Sequence, residues 1–175
     1  EAGAGGGGRA VLGLDYSGHG KNWETFGDGC IGDWHEDTLA AVAALTEGPI
    51  VPVGSSMGGW QALLLACAVP ERIAGMVTIA AAPDFTEDGY WASFTDAQKA
   101  ELDAQGYVEL PSDYMEPYRL SKRMIEDGRT RQVLRSPLAL PFPGRRLQGP
   151  AQTAASTDTA LRLPAPADWP ARGPA

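Results

Sequence analysis

Histidine and cysteine are scarce in this 175-residue chain, which has two of each. The cysteines, Cys30 and Cys67, show neither C-x-x-C nor metal-ligand spacing, so the sequence predicts no metal site and free thiols in a reducing compartment. There is no run of about eighteen apolar residues, and no basic segment followed by an apolar one. We therefore expect no membrane span, no export signal and a cytoplasmic location.

Basic residues are outnumbered by acidic ones, 14 Lys and Arg against 22 Asp and Glu, for a formal net charge of -8. Nucleic-acid binding depends on Lys and Arg that neutralise phosphates, so this balance argues against a nucleic-acid partner. One cofactor-like pattern, G-x-G-x-x-G at Gly3, Gly5 and Gly8, lacks the preceding strand and the following helix that a dinucleotide site needs. The sequence predicts no cofactor, and it contains no signal for an oligomeric state.

Composition divides the chain into three parts. Residues 1–8 form a Gly-rich start, residues 9–135 are regularly patterned, and residues 136–175 hold eight of the 14 prolines and four Arg against two Asp. The last part has little periodicity beyond a short TALRL, which predicts an irregular or disordered Pro/Ala-rich tail. Because the pattern is lost at both ends at once, one hypothesis is that the ends are frame-shifted, decayed or fragmentary.

The middle part alternates apolar strand-like runs with helical patterns. The predicted strands are RAVLGL (9–14), PIVPV (49–53) and RIAGMVTIAAAPDF (72–85), and the predicted helices are DWHEDTLAAVAALTEG (33–48) and GGWQALLLACAVP (58–70). Asp33 is the predicted N-cap of the first helix, and Pro52 weakens the second strand because it lacks an N–H. This order predicts an α/β fold with a mostly parallel sheet flanked by helices. Two further helices within 94–128 predict a helical lid over about residues 86–128.

The pentapeptide Gly54-Ser55-Ser56-Met57-Gly58 is G-x-S-x-G between a predicted strand and a predicted helix, the context of a nucleophile elbow. A sharp turn there raises the serine side chain above the sheet edge, and the flanking glycines avoid collisions. The following helix directs its positive end at developing negative charge. The pattern predicts Ser56 as a nucleophile and the backbone N–H of Met57 as an oxyanion donor. A chance Gly/Ser-rich turn is the alternative.

Three stretches resemble the abhydrolase-domain palmitoyl-protein thioesterases of the α/β-hydrolase superfamily, also described as mycophenolic acid acyl-glucuronide esterases, and their bacterial relatives. These stretches are LDYSGHGKNWETFGDGCIGDWHED, VGSSMGGWQALLLA and IAAAPDFTED. The resemblance covers about residues 9–135 and implies an α/β-hydrolase fold that is truncated at both ends. It also implies hydrolysis of small-molecule or acylated esters and thioesters through an acyl-enzyme on Ser56.

A serine nucleophile needs a base, and the base needs an orienting partner. The order along an α/β-hydrolase chain is serine, acid, histidine, yet no histidine follows Ser56. His19, in the loop DYSGHG at the end of a predicted strand, is a candidate catalytic residue; the alternative, which the resemblance implies, is that it belongs to a structural loop. His35 lies in the first turn of a predicted helix, which is more typical of a solvated or boundary imidazole.

Asp84, after the third predicted strand, is a candidate acid because the resemblance implies an acid at this position in some members of the wider fold, and capping of the next turn is its structural alternative. Gln152 falls where the acid-bearing loop of such hydrolases is expected, with Asp158 as the nearest carboxylate. In the lid, Tyr90, Trp91 and Phe94 are candidates for an apolar substrate site, with core or lid packing as the alternative.

Three functional classes stay open at this point. The first is a serine ester or thioester hydrolase. The second is a catalytically inactive relative that binds an acyl ligand or a partner, which the missing downstream histidine favours. The third is a non-functional fragment, which an exposed sheet edge favours.

Overall fold

The computed structural model describes residues 2–5, 9–111 and 117–148. The strands are β1 (Ala2–Gly5), β2 (Arg9–Leu12), β3 (Val53–Ser55), β4 (Met76–Ile79), β5 (Tyr107–Leu110), β6 (Tyr118–Ser121) and β7 (Gly144–Leu147). The α-helices are α1 (Ile31–Leu45), α2 (Met57–Ala68), α3 (Asp96–Gln105) and α4 (Lys122–Thr130). Shorter helical turns cover Gly20–Asp28, Pro70–Arg72 and Thr86–Trp91, the last with π-helical bonding.

The central sheet is parallel, with the strand order β3-β4-β7. Helix α2 connects β3 to β4 and packs its apolar side chains against one face of the sheet. Pro52 lies directly before β3, and its carbonyl accepts the Val77 N–H at 2.9 Å, so it bonds to the neighbouring strand as an acceptor although it has no N–H to donate. The predicted α/β architecture of a parallel sheet flanked by helices is confirmed.

The first predicted strand, at residues 9–14, was expected to be a buried parallel strand, and the structure differs from this expectation. The observed strand β2 pairs antiparallel with β1, with Ala2 opposite Leu12 and Gly5 opposite Arg9. Val11 is 59% exposed. Antiparallel pairing with a segment only a few residues away has a small loop-closure cost, and the Gly-rich start supplies that partner.

Helix α1 begins at Ile31 with Cys30 as its N-cap residue, so the predicted cap at Asp33 is wrong. The amide of Gly32 is instead satisfied by the Asp127 carboxylate of α4, at 2.7 Å. Asp33 lies in the first turn and forms an ion pair with Arg123, again from α4. The start of α1 is thus set by a helix that is distant in sequence.

The lid region contains more than the two predicted helices. Between α3 and α4 the chain forms an antiparallel pair, β5 with β6, in which Tyr107 lies opposite Ser121. Helix α3 begins with a capping box of Thr95 and Gln98. One hydrophobic cluster joins the lid to α1 and α2, and its buried members include Ile31, Trp34, Trp60, Phe94, Leu102, Val108, Leu120, Met124 and Ile125.

Packed structure continues into the first part of the predicted tail. Leu140 and Phe142 are buried against α2 and β4 side chains, and β7 pairs in register with β4, Ile79 opposite Leu147. The rest of the tail, from residue 149, lies outside the described residues, and so does its predicted disorder. Across the described part of the chain, no helix combines the length and apolar character needed to cross a membrane.

We predict that Phe142→Ala lowers the free energy of unfolding by about 3–5 kcal/mol, because it empties a core site. Phe142 is 4% exposed, whereas Leu45, at the end of α1, is 65% exposed. Leu45→Ala is therefore the control and should change stability by less than about 0.5 kcal/mol. Denaturant unfolding measures both, and equal effects would contradict the packing of residues 136–148 against the sheet.

Candidate active site

Ser56 occupies the sharp turn between β3 and α2. Its backbone has φ of 51° and ψ of -120°, a positive φ that non-glycine residues rarely adopt. Such conformations cost on the order of 1–3 kcal/mol and persist only where the surroundings enforce them. The turn has the strand–turn–helix context that a nucleophile elbow requires.

Neighbouring backbone groups hold Ser56 in this conformation. Its N–H donates to the carbonyl of Ile79, at the end of β4, at 3.0 Å. Its carbonyl accepts from the N–H of Gly59 at 2.9 Å and from the N–H of Ala82 at 3.1 Å. The turn is therefore bonded both to the helix that follows it and to the adjacent strand.

The glycines around Ser56 are not equivalent. A Cβ on Gly54 would collide with the Gly58 carbonyl oxygen, and a Cβ on Gly59 would lie 2.5 Å from the Cβ of Ala81. A Cβ on Gly58 would meet only the Tyr16 hydroxyl, at 3.9 Å. Close backbone approach therefore requires glycine at 54 and 59, but not at the second glycine of the motif.

Met57 is the first residue of α2. Amide groups in the first turn of a helix have no intrahelical acceptor, and the helix dipole makes this end positive. The structure thus places the Met57 N–H at the positive end of α2, directly after Ser56.

A cavity of about 730 Å³ opens at Ser56. Its wall is formed by the β3–α2 turn, the loop after β2, the loop after β4 and one side chain of α4. The lining residues are Leu14, Asp15, Tyr16, His19, Phe26, Ser55, Ser56, Met57, Gly58, Ala82, Phe85, Gly89, Tyr90, Ser93 and Met124. The cavity volume is within the range of about 300–1,000 Å³ that is usual for small-molecule sites.

His19 lines the same cavity as Ser56. Its Nδ1 lies 3.2 Å from the Ser17 carbonyl oxygen. A carbonyl only accepts, so this contact requires the proton on Nδ1 and leaves the lone pair of a neutral imidazole on Nε2. The ring makes edge contacts with Tyr16, Phe26 and Trp34, at centroid distances of 5.6, 5.3 and 4.8 Å.

His35 is buried, 7% exposed, so the expectation of a solvated or boundary imidazole is wrong. Burial lowers the pKa of its side chain, and the charge of Arg131 lowers it further. The residue is not among those that line the cavity. His35 is therefore not placed to serve Ser56.

Asp84 is fully buried, and its carboxylate is bound to backbone groups. One oxygen accepts the Val133 N–H at 2.8 Å and the other accepts the Leu134 N–H at 3.0 Å. Burial raises the pKa of the carboxyl group, against the lowering effect of these two donors. Asp84 is not among the cavity-lining residues, and its described hydrogen bonds go to the backbone after α4 and not to His19, so the structure does not bring it together with Ser56 and His19.

Of the three aromatic residues predicted for substrate binding, Tyr90 lines the cavity and the other two do not. Phe94 is buried in the hydrophobic cluster, and Trp91 stacks with Arg129 at 4.5 Å and Lys99 at 5.0 Å. The contacts of Trp91 and Phe94 therefore correspond to core or lid packing, the alternative considered for these residues. The Tyr90 hydroxyl is 2.8 Å from the Tyr118 hydroxyl, and burial raises the pKa of the Tyr90 phenol.

Sequence reasoning missed several residues of the cavity wall. Asp15 and Tyr16 precede His19 in the loop DYSGHG, and Phe85 follows Asp84. Their position at predicted strand ends was the available signal, because loops at the carboxyl ends of parallel strands meet at one edge of a sheet. The suggested acid positions Gln152 and Asp158 lie outside the described residues. Within the described ranges, no group of three or more His, Cys, Asp and Glu could hold a metal ion.

Comparison with known proteins gives several similarities. The family model of the alpha/beta hydrolase fold matches residues 4–162. A mouse protein, the mitochondrial palmitoyl-protein thioesterase ABHD10, is 34% identical over 144 residues, which cover 81% of this chain and 48% of the relative. Its human counterpart is 31% identical over 144 residues, with 81% and 47% covered. The chain thus spans about half the length of the curated relatives it matches.

Two solved structures are similar over most of the chain. A putative hydrolase from Agrobacterium vitis S4 superposes with a TM-score of 0.79 at 38% identity, covering 86% of this chain and 62% of the other. Alpha/beta hydrolase domain-containing protein 10 from mouse gives 0.76 at 29% identity, covering 89% and 63%. The relatives named thioesterases are also named mitochondrial, and the cytoplasmic location expected for this chain stays a prediction.

Gly54 and Gly58 differ in the space available for a Cβ, and this difference predicts different effects of alanine on stability. We expect Gly54→Ala to destabilise the protein by about 1–3 kcal/mol or more, because the added methyl overlaps the Gly58 carbonyl. Gly58→Ala is the matched control and should leave stability unchanged or raise it by up to about 1 kcal/mol, since alanine favours a helix over glycine. Thermal unfolding compares the two variants, and an equal loss in both would refute the close approach at Gly54.

Proposed function

The chain belongs to the α/β-hydrolase family, and from this premise we propose that it hydrolyses acyl esters or thioesters through an acyl-enzyme on Ser56. The observation that carries the proposal is the strained Ser56 backbone, which lies at a strand–helix junction and opens on a cavity of about 730 Å³. Strain of this kind is concentrated at functional sites. The thioesterase names of the relatives support the same class of substrate.

In the proposed reaction the Ser56 Oγ attacks the acyl carbonyl while a base takes the hydroxyl proton. The negative charge that develops on the carbonyl oxygen accepts a hydrogen bond from the Met57 N–H at the start of α2. Collapse of the tetrahedral intermediate releases the alcohol or thiol, which takes the proton from the base. Water then attacks the acyl-enzyme by the same steps, and the products are the carboxylic acid and free Ser56.

His19 is our candidate for the base. It lines the cavity with Ser56, and its Nδ1 contact with the Ser17 carbonyl leaves Nε2 as the basic nitrogen. The Trp34 Nε1–H donates to that carbonyl at 2.8 Å, and three aromatic rings surround the imidazole. In this arrangement a backbone carbonyl has the orienting role that a carboxylate has in a Ser-His-Asp triad.

A second candidate function is binding of an acyl ligand without turnover. The observation that favours it is the state of the Ser56 hydroxyl, for which the described residues provide no side-chain hydrogen-bond partner. A serine without a bonded base is not an activated nucleophile. The same cavity would then retain the ligand through its aromatic side chains, among them Tyr90.

We predict that a fluorophosphonate probe labels Ser56 covalently, because this reaction requires an activated serine hydroxyl. Ser56→Ala should abolish labelling. Ser136→Ala, at an exposed position outside the cavity, is the control and should label like the parent chain. Intact-mass spectrometry and peptide mapping measure the adduct.

The two candidate functions give different results in that experiment. Stabilisation of the fold by a long-chain acyl ester, measured as a rise in Tm, without any adduct on Ser56 would favour the binding function and contradict the hydrolase. An adduct on Ser56 together with release of carboxylic acid from the ester supports the hydrolase.

For the base, we predict that His19→Ala slows labelling of Ser56 by about 100-fold or more, in line with the usual contribution of a general base. Added free imidazole should restore part of the rate by entering the space left by the side chain. A merely structural role would lower Tm and would not respond to imidazole. Labelling of His19→Ala at the parent rate would eliminate His19 as the base.

A further inference from the structure

The wall of the Ser56 cavity is rich in aromatic rings. Tyr16 and Phe26 come from the segment after β2, and Phe85 and Tyr90 come from the segment after β4. The π face of an aromatic ring attracts a cation within about 6 Å of its centroid, and groups of such rings recognise quaternary ammonium ligands. The four rings thus come from chain segments that precede and follow the turn that carries Ser56, and all line the same cavity.

One carboxylate accompanies these rings. Asp15 lines the cavity, with an exposed side chain beside Gly20, whose Cβ, if present, would lie 2.6 Å from the Asp15 Oδ2. The residue is outside the proposed reaction, which uses Ser56, Met57 and His19. A carboxylate at this place favours positive charge in a bound molecule and disfavours negative charge.

Positive side chains are missing from the described part of the cavity wall. Among its described lining residues there is no Lys and no Arg, and His19 is the member that can gain a proton. A site for anionic acyl donors would need a cation, most often a bidentate Arg or a Lys. The net charge of -8 acts in the same direction over a longer range, because it attracts cations and repels anions.

We propose that the Ser56 cavity selects acyl donors whose leaving group carries a positive charge, and that Asp15 is the residue that determines this selectivity. The inference rests on the proposed function, since it identifies which esters that site takes. The cationic group lies against the aromatic rings and Asp15 while the acyl carbonyl meets Ser56 and the Met57 N–H. The reaction itself is unchanged: ester and water give a carboxylic acid and a cationic alcohol.

The test compares two esters of the same shape. Hexanoylcholine carries a quaternary nitrogen, and 3,3-dimethylbutyl hexanoate has carbon in its place and no charge. We expect the parent chain to prefer hexanoylcholine by about three- to tenfold in kcat/KM, the range that cation–π and charge contacts provide. Raising NaCl from about 0.05 M to about 0.5 M should reduce the preference through screening.

The variant that tests the residue is Asp15→Asn, which removes the charge and keeps the shape. We expect the preference for hexanoylcholine to fall below about twofold. Glu47→Gln is the matched control, because it removes the same charge from an exposed residue between α1 and β3, away from the cavity. It should keep the parental preference, which separates the local effect of Asp15 from the net charge.

A binding experiment separates failure of this inference from failure of the proposed function. Ser56→Ala cannot form an acyl-enzyme, so calorimetry with each ester measures recognition alone. The inference is supported if Ser56→Ala binds hexanoylcholine more tightly than the neutral ester and if the double variant with Asp15→Asn loses this difference. This result supports the inference even if the parent chain hydrolyses neither ester. The inference would be overturned if the protein showed no preference between the two esters. It would also be overturned if Asp15→Asn slowed the hydrolysis of both esters by the same factor. The second result would instead indicate an effect of Asp15 on the catalytic groups.

Discussion

The backbone turn at Ser56 is the constraint on which the rest of the site depends. A serine with φ of 51° does not hold that conformation unaided, and β4 together with the loop after it provides two of the three backbone hydrogen bonds to it. The Ile79 carbonyl binds the Ser56 N–H, and the Ala82 N–H binds the Ser56 carbonyl. On the other side of β4, the Leu147 carbonyl accepts the Ala80 N–H at 2.8 Å. The parallel sheet is thus part of the site geometry, because each of its strands restrains the turn directly or through β4.

The loop after β4 connects this geometry to the interior of the protein. Asp84 anchors the loop: its side chain has no solvent exposure and accepts hydrogen bonds from the Val133 and Leu134 amides. Leaving a buried amide unpaired costs about 1–3 kcal/mol, so the loop and the segment after α4 are held together strongly. Phe85 and Tyr90, which follow on the same loop, line the cavity. The position of that wall therefore depends on a buried carboxylate that is not itself part of the wall.

Sequence patterns predicted the features whose causes lie within a few residues. Local glycines and apolar spacing were enough to predict the sharp turn at Ser56, the start of α2 and the alternation of strand and helix. The role of Asp84 could not be predicted in this way, because its partners are 49 and 50 residues further along the chain. The same holds for the start of α1, where Asp127 satisfies an amide 95 residues away. The pairing of β2 was missed because an apolar run does not specify which strand lies beside it.

Within the cavity, the proposed base and the proposed selectivity depend on different polar groups. His19 is oriented by a neutral carbonyl and by aromatic rings, which fix the direction of Nε2 but supply no full negative charge. A base that takes a proton becomes cationic, and a carboxylate stabilises that cation better than a carbonyl does. Asp15 is the carboxylate among the described residues of the cavity wall. Its charge favours a positive charge on the leaving group, while the orientation of His19 depends on the Ser17 carbonyl and the aromatic rings, so the proposed selectivity and the proposed base depend on different residues.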